Sequence, residues 1–170
     1  MVDFLQENRE KKGINKGLII GGIIGIIIIA GIIGLIAMLP STEEIKQEEL
    51  KGAYLEGTPE FEKYTNEIII TTNMDRTTQA RTGLGSILMN IAGKIRNKGD
   101  KTLDGLEVNV RVVDICDKTI KEKNVLIIPK RQETLSPNET IDVVVNISGF
   151  DPESDRANVR WKVSAIRFAK

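Results

Sequence analysis

The sequence predicts an all-β protein, an antiparallel β-sandwich behind a single N-terminal transmembrane helix. One apolar segment near the N-terminus, without a charged side chain from Leu18 to Leu39, predicts the helix. From Ile68 onward, apolar and polar residues alternate in short segments separated by turn residues, with no helical period between them. Six or seven such half-buried strands in about 100 residues favour two packed antiparallel sheets.

The apolar segment is long enough to span a bilayer. Its 22 residues, Leu18–Leu39, would cover about 33 Å as an α-helix, and a hydrocarbon core is about 30 Å thick. A cleaved signal peptide has a shorter apolar region and a small-x-small cleavage site, whereas this segment ends in Met38-Leu39-Pro40. The segment is therefore interpreted as an uncleaved signal anchor embedded in the lipid bilayer.

The charges that flank the anchor predict its orientation. Lys11, Lys12 and Lys16 precede the apolar segment, and the acidic Glu43 and Glu44 follow it. The positive-inside rule then predicts a single-pass protein of the cell membrane, with a cytoplasmic N-terminus and a periplasmic or cell-surface C-terminal domain.

A prepilin-like filament subunit is the alternative for this region. Lys11-Lys12-Gly13 before an apolar run and a β-rich domain resembles the processing site of such subunits, and cleavage there would leave Ile14 as the mature N-terminus. However, Lys16 would lie inside a helix that is normally apolar, and Leu18 stands where bacterial pilins carry a glutamate. The uncleaved anchor remains the preferred interpretation.

Small residues recur along one side of the predicted membrane helix. Gly17, Gly21 and Gly25 follow one another at four-residue spacing. Ridges of this kind let neighbouring helices approach closely, so these three glycines form a candidate helix-packing ridge, although glycine is common in membrane helices in general.

Composition divides the chain into four regions. We predict a cytoplasmic tail at residues 1–16, the transmembrane helix at 17–39, an acidic stalk with a short helix at 40–66, and the sandwich at 67–170. Ser41 and Glu44 fit a capping box for the short helix. The excess of acidic residues from Glu43 to Glu67 indicates a solvated spacer.

The strands are predicted from the alternation of apolar and polar residues and from the turn residues that separate the alternating segments. The apolar phase shifts after Val163, which predicts a bulge near Ser164-Ala165. The stretch 119–128 fits either one strand or two short ones. The first predicted strand begins at Ile68. The other five cover Ile87–Ile95, Leu106–Val112, Thr119–Ile128, Ile141–Ile147 and Val159–Phe168.

Several segments, taken in order from Ile87 to Ile147, resemble the FxLYD domain family. Gly93-Lys94-Ile95-Arg96-Asn97 is similar to the family's G-x-V-x-N strand, and Lys118-Thr119-Ile120 to its G-K-V continuation. Leu135-Ser136-Pro137-Asn138-Glu139 is similar to its L-x-P-G-E turn. The resemblance implies an immunoglobulin-like sandwich, tethered outside a prokaryotic membrane and without known catalytic residues.

The chain departs from the family pattern at three places. Val110–Asp114 keeps only the final aspartate of the name motif, and Asp117 and Asn138 stand where the family has glycine. Aspartate and asparagine best tolerate the left-handed backbone conformation that glycine supplies. The two exchanges are therefore expected to preserve the turns.

The residue inventory argues against an enzyme and against a metal site. Histidine is absent and Cys116 is the one cysteine, so His-based general-base chemistry and intramolecular disulfides are excluded. Asp151, Glu153 and Asp155 alternate like the start of a calcium loop, but Arg156 and Lys162 occupy the positions that need glycine and glutamate. We therefore expect no catalytic, cofactor-binding or metal-binding residues.

Two further motifs bear on modification and on nucleic acid. Asn138 and Asn146 begin N-glycosylation acceptor motifs, and Asn138 is the better candidate because it lies in a turn. Basic residues cluster from Lys94 to Lys101, but with a single tryptophan and few other aromatic residues the chain lacks a stacking platform for nucleic acid.

These observations predict a non-enzymatic membrane protein whose extracytoplasmic sandwich mediates protein–protein interaction. We expect an accessory or scaffolding subunit of a membrane or envelope complex, without a nucleic-acid partner or a small-molecule substrate. The alternatives are an envelope ligand-binding or sensing module and the filament subunit.

Overall fold

The computed structural model describes residues 16–38 and 50–170, and in the first range it describes the side chains of residues 21–37. The chain divides into two compact units, residues 1–44 and 45–170. The capping box at Ser41 and Glu44, the Lys11-Lys12-Gly13 motif and the tail before residue 16 lie outside the described residues.

In the described part of the first unit, helix α1 covers Lys16–Met38. Isoleucine and leucine side chains described in this helix are between 52% and 69% exposed. Among the described residues, no helix is long and apolar enough to cross a membrane. The apolar segment is helical, and its crossing of a membrane stays a prediction.

Residues 50–170 of the second unit form antiparallel strands, a short helix and a 3-10 turn. Its elements are β1 Tyr54–Leu55, α2 Pro59–Thr65, β2 Ile68–Thr72, the 3-10 turn Met74–Arg76, β3 Thr78–Arg81, β4 Ile87–Asn97, β5 Leu103–Val113, β6 Thr119–Ile128, β7 Thr140–Phe150 and β8 Asn158–Phe168. One sheet has the order β1-β8-β5-β6. In the other, β4 pairs with β7 along one edge and with β2 and β3 along the opposite edge.

The core lies between the two sheets. In β7 every second residue from Ile141 to Ile147 is buried, and the residues between them are exposed. Strand β5 lies in the middle of its sheet, so its inward-facing valines Val108, Val110 and Val112 are fully buried. Each buried side chain of this size contributes roughly 1.5–3 kcal/mol relative to its exposed state.

The prediction of an all-β fold is confirmed by these sheets. All six predicted strands are present, and 119–128 forms one strand. The bulge is also confirmed, because Glu107 lies opposite Ala165 while Val108 lies opposite Val163, which leaves Ser164 as the extra residue. Strands β1 and β3 were not predicted, since one has two residues and the other, Thr78–Arg81, is exposed throughout.

The sandwich begins earlier in the chain than residue 67. Helix α2 lies within the region assigned to the stalk, yet it buries Phe61 and Tyr64 in the core, where they are 2% and 6% exposed. Pro59 at the first turn and acidic residues near the N-terminus favour this helix locally. Phe61 and Tyr64, one helical turn apart, attach α2 to the sheets. The acidic composition of the same stretch predicts a solvated spacer, because composition does not show which single side chains are buried.

Candidate interaction surfaces

One end of the sandwich, here called the tip, is formed by the β3–β4 loop, the β5–β6 turn and the β7–β8 loop. Ile87 at the start of β4 pairs with Phe150 at the end of β7, and Val113 at the end of β5 pairs with Asn158 at the start of β8. The loop 151–157 joins these two places, so all three connections lie together. Leu50 lies at the other end, beside Gly105 near the start of β5.

The tip carries the two most exposed large apolar side chains among residues 50–170. Leu84 is 98% exposed between Gly83 and Gly85, and Ile115 is 83% exposed in the β5–β6 turn. Neither contributes to the core, so their burial against a partner would release apolar surface from water at no cost to the fold.

Hydrogen bonds connect the loops of the tip. The Asp155 carboxylate accepts from the Ile115 backbone N–H at 3.1 Å. The Arg156 guanidinium donates to the Gln79 side chain at 3.2 Å and to the Asp151 carbonyl at 2.8 Å. The first bond joins the β7–β8 loop to the β5–β6 turn beside Ile115, and the bond to Gln79 joins the same loop to strand β3.

The free edge of β7 is blocked by basic side chains. Lys121 and Lys123 of β6 donate to the carbonyls of Ser148 and Asn146 at 3.0 and 2.9 Å. Arg131 donates to the carbonyl of Val144 at 2.9 Å. Carbonyls at alternate positions of this edge are therefore occupied, which prevents another strand from adding there.

At β3, on the opposite edge of the same sheet, no side chain among the described residues donates to a strand carbonyl, and Arg156 donates to the Gln79 side chain instead. All four residues of Thr78–Arg81 are exposed. This strand pairs with β4 through Thr78↔Asn90 to Arg81↔Ile87, and its other edge faces outward.

A buried asparagine organises the end of the sandwich near Leu50. Asn97 is fully buried; its side-chain oxygen accepts from the Gly99 N–H at 3.0 Å, and its side-chain nitrogen donates to the carbonyls of Lys101 and Leu135 at 2.8 and 3.1 Å. The Tyr64 hydroxyl completes the network at 3.1 Å. Burial raises the pKa of Tyr64. The network ties α2, the β4–β5 turn and the loop before β7 to one another.

The positions that resemble the FxLYD pattern have structural roles. A Cβ atom on Gly93 would lie 3.0 Å from the Trp161 ring and 3.2 Å from the Thr71 carbonyl, so only glycine fits without displacement. Asn97 is the buried asparagine described above. These residues hold the sandwich together and form no reactive group.

The proline turn before β7 is likewise held by its own side chains. Leu135 is fully buried, and the Glu139 carboxylate accepts from the Ser136 N–H at 2.7 Å and from the Gln132 side chain at 2.9 Å. The hydrogen bond from Ser136 lowers the pKa of Glu139. Asn138, like Asp117 in the β5–β6 turn, has φ +62°, so the expectation that both adopt the left-handed conformation is confirmed.

Two open cavities adjoin Phe168 near Leu50. One of about 350 Å³ lies against Lys63, Tyr64 and Lys101, and the other, of about 600 Å³, lies against Tyr54 and Arg167. The Lys101 ammonium sits 4.5 Å above the Phe168 ring. Charges of both signs line these cavities.

The predicted site residues are distributed over the chain. Gly17, Gly21 and Gly25 all lie in α1, and a Cβ on Gly21 or Gly25 would meet nothing within 4 Å. Asn138 is exposed, and Asn146 is exposed within β7. Lys94, Arg96 and Lys98 alternate on one exposed face of β4 and the turn after it.

Neither Cys116 nor the acidic residues of the β7–β8 loop form a reactive cluster. Cys116 is exposed in the β5–β6 turn. The Asp151 carboxylate accepts from the Glu153 backbone N–H, so it stabilises its own turn. Within residues 16–38 and 50–170, no group of three acidic or sulfur side chains is placed to hold a metal ion.

Comparison with known proteins identified no relative of this chain. No family model, no curated protein and no solved structure matches this chain.

Proposed function

We propose that this chain is a non-enzymatic, single-pass membrane protein whose sandwich binds another protein through the tip. The role that fits is an accessory or scaffolding subunit of a membrane or envelope complex. The observation that carries the proposal is the exposure of Leu84 and Ile115, at 98% and 83%, at one end of the sandwich. Burial of these two side chains against a partner would remove apolar surface from water, which favours association.

The anchoring part of the proposal rests on the apolar segment. Its 22 uncharged residues, Leu18–Leu39, match the thickness of a hydrocarbon core. Membership of the FxLYD family and an immunoglobulin-like strand arrangement are part of the same proposal, supported by the order of the motifs and by the two antiparallel sheets. Glycines Gly17, Gly21 and Gly25 would then face a second transmembrane helix.

Cys116 provides a test of the orientation. It is the one cysteine of the chain and it is exposed in the sandwich. A membrane-impermeant maleimide should label it in intact cells. In a Cys116→Ser background, a cysteine placed at Asn8 should be labelled only after permeabilisation. The reverse pattern would contradict the proposed topology.

Crosslinking in native membranes tests the docking surface. The full-length chain should crosslink to a distinct protein, and the double variant Leu84→Ser, Ile115→Ser should lose that product. Leu55→Ser is the matched control, because Leu55 is also an exposed leucine, at 56%, but lies in β1 away from the tip. Crosslinks that persist in the tip variant, or a chain that extracts alone after gentle solubilisation, would refute the role of the tip.

An envelope ligand-binding or sensing module is the alternative function, and the cavities beside Phe168 are its supporting observation. A small ligand should then raise the melting temperature of the full chain, and Phe168→Ala should abolish the shift. A flat response across a broad ligand screen argues against it. Intact mass tests the filament alternative, since processing would produce a chain that begins at Ile14.

A further inference from the structure

We propose that strand β3 pairs with β3 of a second copy of this chain, in antiparallel orientation and centred on Ala80, so that one sheet continues through both copies. This inference concerns self-association and does not depend on the proposed accessory role. It rests on the hydrogen-bonding groups that β3 presents, on the protection of the opposite edge, and on the register that the residues allow.

The hairpin geometry identifies which backbone groups of β3 face outward. Thr82 donates its N–H to the Ser86 carbonyl at 2.8 Å, so this pair is hydrogen-bonded. Bonded and non-bonded pairs alternate along an antiparallel ladder, so Ala80 and Thr78 bond to β4 and Gln79 and Arg81 direct their N–H and C=O groups away from it. Within the described residues, these outward groups have no hydrogen-bond partner in the chain.

The contrast between the two edges of this sheet indicates that β3 is left open. On β7, Lys121, Lys123 and Arg131 occupy the outward carbonyls at alternate positions. On β3 the one basic residue, Arg81, turns its guanidinium back to the Gly85 carbonyl at 3.4 Å, toward its own hairpin. An exposed strand without such blocking is a template for another strand.

Strand β3 is self-complementary in one register, which favours a second copy as its partner. In an antiparallel pair of β3 strands, residues whose N–H and C=O groups point away from β4 must lie opposite each other. This condition leaves three pairings, in which the two-fold axis passes through Gln79, Ala80 or Arg81. Centring on Arg81 places two like charges directly opposite. Centring on Gln79 places Arg81 opposite Thr77, whose N–H is already bound to the Met74 carbonyl.

Centring on Ala80 uses every outward group. Gln79 of one copy then faces Arg81 of the other, and the reverse, so two residues in each copy close four main-chain hydrogen bonds. The Gln79 carboxamide is neutral, so it lies opposite the Arg81 guanidinium without charge repulsion. Thr78 of one copy lies opposite Thr82 of the other. The arrangement is two-fold symmetric and closed, and Leu84 and Ile115 of the tip lie outside the paired positions.

Disulfide trapping of the full-length protein in native membranes tests the pairing. In a Cys116→Ser background, Ala80→Cys places two thiols directly opposite in a non-hydrogen-bonded pair, where Cα atoms are about 4.5 Å apart and a disulfide can form. Thr78→Cys is the matched control on the same exposed face of β3, because its symmetry mate lies about 14 Å away along the strand. We expect at least fivefold more disulfide-linked dimer from Ala80→Cys.

A charge-swap experiment gives an independent readout. Ala80→Lys places like charges opposite each other and should weaken self-association at least tenfold, whereas a mixture of Ala80→Lys and Ala80→Glu chains should restore it. Ala80 is exposed, so all three chains should unfold at similar temperatures. Equal disulfide yields from the two cysteine variants, an Ala80→Cys product containing a different protein, or no restoration in the mixture would overturn the proposal.

Discussion

Replacement of Asn97 by alanine removes the side-chain hydrogen bonds that join the end of β4 to α2, to the β4–β5 turn and to the loop before β7. Asn97 is fully buried and bonds to Gly99, Lys101, Leu135 and the Tyr64 hydroxyl. In the variant, the Leu135 carbonyl still accepts a hydrogen bond from the Leu103 N–H at 3.0 Å. The Tyr64 hydroxyl still donates to the Lys101 carbonyl at 2.8 Å. The Gly99 N–H loses the Asn97 acceptor, the one hydrogen-bond partner that it has within the described residues.

The magnitude follows from these losses. A stranded buried N–H costs about 1–3 kcal/mol, and the two bonds donated by the Asn97 side chain contribute about 1 kcal/mol each. The free energy of unfolding should therefore fall by about 4 kcal/mol, out of a total of about 5–15 kcal/mol for a domain of this size. Asn97→Asp should be as damaging, since a carboxylate cannot donate to two carbonyls.

Urea unfolding of the full chain in detergent micelles measures this loss. Trp161 is the one tryptophan of the chain and donates to Thr72 of the facing sheet at 2.9 Å, so its fluorescence should report separation of the sheets. With a slope of about 2 kcal/mol/M, the midpoint should fall by about 2 M. Asn109→Ala is the control, because it removes an exposed Asn109–Asn124 bond and should cost less than about 0.5 kcal/mol. Equal midpoints for both variants would refute the reasoning.

Three further predictions concern single residues. Gly93→Ala should lower the free energy of unfolding by about 1–3 kcal/mol and shift the emission of Trp161, because its Cβ would lie 3.0 Å from that ring; an unchanged spectrum and midpoint would contradict the close packing. Asn138→Ala should cost about 1 kcal/mol more than Asn138→Gly in the same unfolding assay, because φ is +62° there and glycine has no left-handed penalty; equal midpoints would argue against this backbone conformation. The lowered pKa of Glu139 should stabilise the fold above the carboxyl's ordinary pKa, and this contribution should disappear as the pH falls through the folded value. Glu139→Gln should therefore be less stable than the parent chain at pH 7, and the difference should shrink toward pH 3; a difference independent of pH would exclude this role.

Local pattern was sufficient to predict most of the sheet structure. The period of two in β4, β5, β7 and β8 reflects strands with one face toward a core, and this constraint is visible in any short window. The left-handed turns at Asp117 and Asn138 were predictable for the same reason, since backbone conformation there depends on the residue itself. The phase shift after Val163 likewise reported the bulge at Ser164.

The candidate surfaces needed contacts between distant parts of the chain. Leu84 and Ile115 are 31 positions apart in sequence and come to one end only because β7 and β8 connect the two sheets there. Protection of the β7 edge depends on Lys121 and Lys123 crossing between sheets, which no local pattern of β6 indicates. Strand β3 escaped prediction because an exposed edge strand has no apolar alternation.

The sequence by itself determined the class of the fold, the positions of its main strands and the 22-residue apolar segment, because periodicity, turn chemistry and hydropathy act over a few residues. Only the tertiary structure decided that α2 belongs to the sandwich, through Phe61 and Tyr64, and that Asn97 is a buried structural residue. It also decided which edge is protected and which is open. These properties depend on side chains and backbone groups that meet across the two sheets, and their pairing is set by the packing of the whole unit.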